Sequence, residues 1–363
     1  MGVENQDFII GRDDLILVTG ASGFIGRRLV RSLIDFGFRN LRCFARTRGA
    51  ELLSRPAAIN DHSPASAPDK AARVELFRGN LLSREDCESA LRGVAVVFHL
   101  AAGSGEKSIP EAFRNSVVTT RNLLEAGARH DCLKRFVNVS SFSVYSNRHK
   151  PRHRLLDESC AVEKDPKLRG DAYTFAKIKQ DEVVADCANR FSIPYVIVRP
   201  GYVIGPGHPE ISGRVGLGTF GIFLHLGGSN TVPFTYVDNC ADAIALAGAK
   251  RGVEGEVFNV VDDDLPSSRE FLRMYKRSVK PFKSIYLPHF VSYALCYLWE
   301  RYSVWSEGQL PLAFNRRLWH AYWKKTSYSN EKLKSKLGWK PRVPMPEALR
   351  LHFEACLASA GHK

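Results

Sequence analysis

Residues Leu15-Ile16-Leu17-Val18-Thr19 form a continuous apolar run that ends directly on Gly20-Ala21-Ser22-Gly23-Phe24-Ile25-Gly26. An uninterrupted run of this length suits a strand buried on both faces of a parallel sheet. Beyond it Ile25, Leu29, Val30, Leu33 and Ile34 recur at helical spacing with arginines between them, which predicts an amphipathic helix over 24–36. A second strand is expected at 41–45, so the chain opens as a strand–helix–strand unit. In the turn, Gly20 permits the sharp bend, Gly23 lets backbone approach a pyrophosphate, and Gly26 lets the helix pack close to the strand. The free N–H groups and positive dipole at the helix start then favour phosphate.

The alternation continues. Strands are expected at 74–77, 95–100, 136–140 and 195–198, with helices at 84–91, 111–128 and 173–189. This predicts an α/β fold of the Rossmann type, a doubly wound parallel sheet with helices on both faces. After Arg199 the pattern changes: 201–235 is glycine-rich without steady alternation, 257–261 reads as a strand rejoining the sheet, and from about Leu265 the chain is helical and aromatic. The expected division is a dinucleotide-binding domain over 12–200, its sheet completed by about 236–262, and a smaller, mostly helical substrate lobe from 201–235 and 265–363. The Pro-, Ala- and Ser-rich stretch 54–72 reads as a surface loop, and no internal repeat is present.

The chain has 363 residues, 44% hydrophobic, with a formal net charge of +14. That excess favours anionic partners. The Lys and Arg residues are scattered without a long basic run, which reads as a solvated cationic surface and argues against nucleic acid, with phosphorylated cofactors and acidic membrane surfaces as the other partners such charge favours. None of the eight cysteines forms a C-x-x-C pair or clusters with histidine, so neither a metal site nor a disulfide framework is expected, and a reducing, cytoplasmic setting is. The start, MGVENQDFIIGRDD, carries acids and lacks an apolar signal core. Residues 285–299 are apolar but too short to span a bilayer. With the aromatics that follow, 285–305 reads as a pocket wall, an interfacial segment lying on a membrane, or an ordinary buried helix.

Tyr173 and Lys177 stand one helical turn apart, in YTFAK. An ammonium beside a phenol is expected to lower its pKa, which equips the tyrosine to exchange a proton with a substrate oxygen. Upstream, the strand FVNVS runs into Ser140-Ser141-Phe142-Ser143-Val144-Tyr145, and a serine at a neighbouring strand end can hydrogen-bond the same oxygen. A second Y-x-x-x-K, Tyr328 and Lys332, reads as coincidental, far from any strand of the sheet. The second strand ends in Arg42-Cys43-Phe44-Ala45-Arg46-Thr47-Arg48, with no carboxylate to hold a ribose and arginines suited to a phosphate, so NADP(H) is favoured over NAD(H).

TGASGFIG, SSFSVY, YTFAK, RPGYVIGPG, HLAA at 99–102, Asn115 in NSVVTTRNLLEA and the terminal YSNEKLKSKLGWKPRVPMPEAL occur in one order along nearly the whole chain. In these the chain resembles the extended short-chain dehydrogenase/reductase family, also called the epimerase/dehydratase family. The resemblance implies hydride transfer with a nicotinamide cofactor. It implies Ser141 as catalytic serine, with Ser143 as the fallback, Tyr173 as acid/base, Lys177 as its partner, and Asn115 near the active site. It places the cofactor against Gly20, Ser22, Gly23, Phe24, Ile25, Gly26, Arg46, Asn80, Leu81, Leu100, Ala101, Ala102, Tyr173, Lys177, Pro200 and Val203. Asn80 stands where the family usually has an aspartate on adenine, and it still donates and accepts. His99 reads as a packed core histidine without chemistry.

Nucleotide-sugar members often carry asparagine where this chain has Tyr202, and an arginine before F-x-Y-V-D where this chain has none. The pattern is nearer the 3β-hydroxysteroid and sterol dehydrogenase branch. The first expectation is therefore oxidation or reduction at a secondary alcohol or ketone of an apolar, steroid- or lipid-like substrate. The alternatives are a nucleotide-sugar epimerase or dehydratase, and a non-catalytic dinucleotide sensor. A homodimer is implied by the resemblance alone.

Overall fold

The computed structural model describes residues 7–46, 72–103, 108–148, 155–307, 309 and 314–360. The expected loop at 54–72 lies outside them except for Ala72, and so does Arg48. The central sheet is formed by β1 (Leu15–Thr19), β2 (Asn40–Ala45), β3 (Arg73–Arg78), β4 (Val94–His99), β5 (Arg135–Val139), β6 (Tyr195–Pro200) and β7 (Val257–Val260). All neighbours are parallel, in the order β7-β6-β5-β4-β1-β2-β3. Every residue of β4 and β5 is buried, which is why their sequences, VAVVFH and RFVNV, lack alternation. The outer strand β3, RVELFR, is only half-buried and ends in arginine at both sides, an arrangement that discourages further pairing at an edge.

Helices α1 (Phe24–Asp35), α2 (Arg84–Leu91), α3 (Ile109–Ala112 continuing through Phe113–Val118 to Thr119–Gly127), α4 (Ala172–Phe191) and α5 (Val237–Ala249) cover both faces. On one face Leu29, Val30 and Leu33 of α1 meet Ala241, Ile244 and Ala245 of α5 over Val18, Val96 and Val137. The other face packs Leu91 of α2, Leu123 and Leu124 of α3 and Val184 of α4 over Leu17, Val97 and Phe136. The alanine-rich α5 gains its closeness from Gly248, where a Cβ would overlap the Phe98 ring. The middle of α3, Phe113–Val118, is a π-helical stretch inside the helix expected at 111–128. There the hydroxyls of Thr119 and Thr120 donate to the Ser116 carbonyl, at 3.0 and 2.6 Å, and such bonds loosen the regular ladder.

The remainder is mostly helical: α6 (Ser268–Ser278), α7 (His289–Trp305), α8 (Arg316–Tyr322), α9 (Glu331–Leu337) and α10 (Met345–Ala360). The glycine-rich 201–235 contains strands its sequence did not announce. Gly216–Thr219 and Ile222–His225 form a hairpin, and Tyr202–Ile204 pairs with Phe234–Tyr236. The second tyrosine–lysine pair is not remote from the sheet, as its sequence position suggested. Lys332 of α9 lies 5.4 Å over the Phe258 ring of β7, and Tyr328 stacks on Phe142 at 5.7 Å. The two serve packing, with Lys332 also paired to Glu256 at 2.6 Å.

Candidate active site

The sheet order reverses between β1 and β4, and in such sheets the crevice outside the carboxyl ends at the reversal is the natural binding place. Gly20 leaves β1 with φ +69°, a conformation glycine adopts without strain, and a Cβ there would stand 2.8 Å from the Ala101 nitrogen at the end of β4. A Cβ on Gly26 would overlap the Gly20 carbonyl oxygen, so the turn closes only with glycine at both positions. Gly23 caps α1, no side chain bonds to the helix start, and its first turn holds no acid. The first N–H groups of α1 therefore meet the cleft without intrahelical acceptors, a cradle whose shape and sign fit a dinucleotide's pyrophosphate.

A cleft of about 1350 Å³ runs from this cradle across the sheet. Gly20, Ser22, Gly23, Phe24, Ile25, Gly26, Arg46, Asn80, Leu81, Leu100, Ala101, Ala102, Asn115, Ser141, Ser143, Tyr173, Lys177 and Val203 all line it. Pro200 does not: it is a buried residue of β6 opposite Val260, and Gly201, Tyr202 and Val203 form the wall instead. Arg46 is exposed at the end of β2. The Asn80 side-chain oxygen accepts from the Leu82 N–H at 3.0 Å, leaving its NH₂ as the donor side.

Asp171 caps α4 through the Tyr173 N–H at 3.1 Å and so fixes where the tyrosine leaves the helix. Ser141 follows β5 and caps the short helix Phe142–Val144, accepting from the Ser143 N–H at 3.1 Å. Of the two candidate serines, Ser141 is the one hydrogen-bonded to the Tyr173 phenol. The phenol does not show the expected low pKa. Desolvation by the cleft walls pushes it up to about 12 although the residue stays 39% exposed, with the Ser141 hydrogen bond opposing. Lys177 is turned toward protein acceptors, donating to the Val139 carbonyl at 2.7 Å and to Gln180 Oε1 at 3.0 Å. Burial brings its ammonium down to about 8, against the pull of Asp181 one turn further along α4. Asp181 is held by Asn138, Ser140 and Arg199 at 2.9, 2.9 and 3.2 Å. Breaking a buried pair such as Asp181–Arg199 typically costs about 3–5 kcal/mol.

His99 is buried in the core, as expected, but it is not idle packing. Its Nδ1 lies 2.8 Å from Thr19 Oγ1 and its Nε2 lies 2.8 Å from Thr120 Oγ1. Thr120 spends its proton on the Ser116 carbonyl at 2.6 Å, so it can only accept from His99 and from Gln180 Nε2, the latter at 2.8 Å. His99 must then carry its proton on Nε2. Burial and the Lys177 charge bring its pKa down to about 3, so the ring is neutral and Nδ1 accepts from Thr19. Two arms of hydrogen bonds, Thr19 to His99 and Lys177 to Gln180, thus converge on the Thr120 hydroxyl and join the last residue of β1 to the lysine. Single-sequence reasoning missed Thr19, Thr120 and Gln180, because nothing local marks residues that meet only across the fold.

At the far end the wall is formed by Tyr202, His208, Glu210, Ser212, Arg214 and Tyr322. The Tyr202 hydroxyl donates to the Glu210 carbonyl at 3.0 Å, and Arg214 lies 4.8 Å over the Tyr322 ring. This end joins the segment after β6 to α8, more than a hundred residues later. The sequence had offered RPGYVIGPG with Tyr202 and the late aromatics as a pocket wall, but not which of them meet.

Among known proteins, a family model described as the NAD dependent epimerase/dehydratase family matches residues 16–260. Curated relatives include mouse (Mus musculus) sterol-4-alpha-carboxylate 3-dehydrogenase, decarboxylating, 25% identical over 347 residues, covering 92% of this chain and 88% of that one. The 2-alkyl-3-oxoalkanoate reductase of Stenotrophomonas maltophilia (strain K279a) is 27% identical over 351 residues, covering 92% and 97%. Among solved structures, UDP-glucuronic acid 4-epimerase from Bacillus cereus in complex with NAD superposes with a TM-score of 0.67 at 21% identity, covering 96% of this chain and all of that one, which speaks to the fold. With the strand order, the glycine cradle and the match across most of the chain in agreement, the protein belongs to the NAD-dependent epimerase/dehydratase family and is an oxidoreductase of the extended short-chain dehydrogenase/reductase type.

Proposed function

We propose that this enzyme transfers hydride between NADP(H) and a secondary alcohol or ketone on an apolar, steroid- or lipid-like molecule, with residues 12–200 holding the cofactor and the later segments the substrate. The observation that carries the proposal is the meeting of Ser141, Tyr173 and Lys177 in one cleft with the glycine cradle. A bound nicotinamide supplies or takes up the hydride. The chain's own residues do the rest. Tyr173, protonated well beyond neutral pH, is set to donate a proton to a carbonyl oxygen; Ser141 orients that oxygen; Lys177, charged below about 8, favours negative charge on the phenol as its proton leaves. Arg46 supports NADP over NAD because a guanidinium suits a ribose phosphate. The names of the sterol and oxoalkanoate relatives support an apolar substrate. Tyr202, braced on the Glu210 carbonyl where nucleotide-sugar members often have asparagine, supports it too. The reading extends to contact between 285–305 and a membrane and to a homodimer.

The test is NADPH oxidation at 340 nm across apolar ketones, including steroid ketones and long-chain 3-oxo acids. Steady oxidation with members of that panel is expected. No net oxidation, with conversion of a nucleotide sugar on copurified cofactor, would establish the epimerase instead.

A further inference from the structure

Helix α7 is built inside out. Its buried residues are Ser292, Cys296 and Ser303, and Ser292 accepts from the Trp319 indole N–H at 2.9 Å. The opposite half carries Phe290, Leu295, Leu298, Tyr302 and Trp305, each between 50% and 77% exposed. At about 100° per residue these five fall within one half of the helix circumference. A soluble helix normally shows water its polar half, and a coherent apolar face of this kind marks an interaction surface.

Charge identifies what the surface meets. Glu300 is turned back and held by Arg316 through two guanidinium bonds, at 2.9 and 3.1 Å, and one from its backbone N–H at 3.2 Å, leaving Arg301 as the exposed charge of the helix. Just before α7, Ile285 and Tyr286 are also exposed, preceded by exposed Lys280 and Lys283. Beside them lies α6, SREFLRMYKRS, with Arg269 over the Tyr286 ring at 5.5 Å and Lys276 donating to Ser284 at 2.6 Å. Against these cations the exposed acids along the same segments are Asp264 just before α6, Glu270 in α6 and Glu307 past the end of α7. An anionic lipid surface takes the cations at its headgroups, the Trp and Tyr rings at the interface and the aliphatic side chains below. No helix among the described residues is long and apolar enough to cross a membrane, so the contact lies in the plane of the surface.

We propose that the outer face of α7, with Ile285 and Tyr286 and the cations beside them, docks this enzyme on an anionic lipid bilayer. The docked helix is one layer from the cleft. Tyr293 of α7 packs edge-on against Trp319 of α8 at 5.0 Å, and Tyr322 of the same helix lines the substrate end. The proposal deepens the apolar-substrate reading, on which the benefit of docking rests: the cleft mouth is held near the phase in which such a substrate dissolves.

The experiment is co-sedimentation of the full chain with phosphatidylcholine vesicles, with and without phosphatidylserine, at low and high salt. Binding to the phosphatidylserine vesicles is expected, weakened by salt, and reduced about tenfold or more in a Leu298→Glu, Trp305→Glu variant whose melting temperature and NADPH binding match the parent. If that variant folds poorly, Arg301→Glu with Lys283→Glu takes its place, and a several-fold loss confined to phosphatidylserine vesicles is expected. Absence of binding, or equal binding by a folded variant, overturns the proposal. So does a lipid-free dimer abolished by the same substitutions, which would assign the face to a second copy. Vesicle binding with no oxidation of any apolar ketone would sink the substrate reading and leave the docking intact.

Discussion

The two ends of the cleft are made differently. The end proposed for the cofactor is built from strand termini and tight backbone: Gly20 against Ala101, Gly26 against Gly20, Leu100 donating its N–H to the Thr19 carbonyl at 3.2 Å. The end proposed for the substrate is built from side chains on loops and late helices: Tyr202 braced on the Glu210 carbonyl, Arg214 stacked on Tyr322 and donating to the Ala321 carbonyl at 2.9 Å. Backbone geometry tolerates almost no substitution, whereas a wall of side chains can change its lining while the sheet stays in place. Under the proposed function, the difference would put binding of a common cofactor in the rigid end and choice of substrate in the variable one.

The sharpest way to break that contrast is at the junction of the two ends. Tyr173→Phe is expected to lower turnover about a thousandfold while NADPH binding stays within a factor of two or so, since only the proton donor is lost. Fluorescence titration showing lost cofactor binding would mean the phenol belongs to the cofactor end. Next in size, Gly26→Ala should weaken NADPH about a hundredfold and lower the melting temperature, because its Cβ meets backbone that cannot withdraw. Near-normal affinity would show that the turn has slack the geometry denies.

The pH profile comes third. Lys177 must hold its proton to favour charge on the phenol, and its pKa is depressed to about 8. The rate of carbonyl reduction should be flat below about 8 and fall as pH rises through that value, approaching tenfold per unit. A plateau persisting to pH 10 would contradict the role given to burial. Arg46→Ala should weaken NADPH about tenfold and NADH little, measured side by side; equal losses would remove the case for NADP. The smallest effect is expected from Arg214→Ala, a several-fold rise in KM with cofactor affinity unchanged. If cofactor affinity fell instead, the two ends would not be separable.

The cofactor end was largely legible in the chain because its determinants are close neighbours. Gly20, Gly23 and Gly26 act within one turn of backbone, and Tyr173 and Lys177 share a helix face by their spacing. The pattern placed β1 and β4, but the reversal of strand order between them, and hence the crevice, came from the structure. Less could be read of the hairpin at Gly216–His225, where glycine hides strand propensity, or of the π-helical stretch around Asn115, which arises from hydroxyls bonding backward to carbonyls. His99 read as a core residue, and it is buried. Its tautomer follows from Thr120, whose proton is already committed to Ser116.

By itself the sequence determined the order of elements, the glycine turn and the shared helix face of Tyr173 and Lys177, because these depend on periodicity and on residues within a few positions of one another. Only tertiary structure decided how those groups stand. It set Ser141 rather than Ser143 on the phenol, raised that phenol and lowered the lysine through burial, and tied Lys177 to β1 through Gln180, Thr120 and His99. It also turned the apolar half of α7 outward. Desolvation and hydrogen-bond direction belong to surroundings assembled from distant parts of the chain, and no local pattern encodes them.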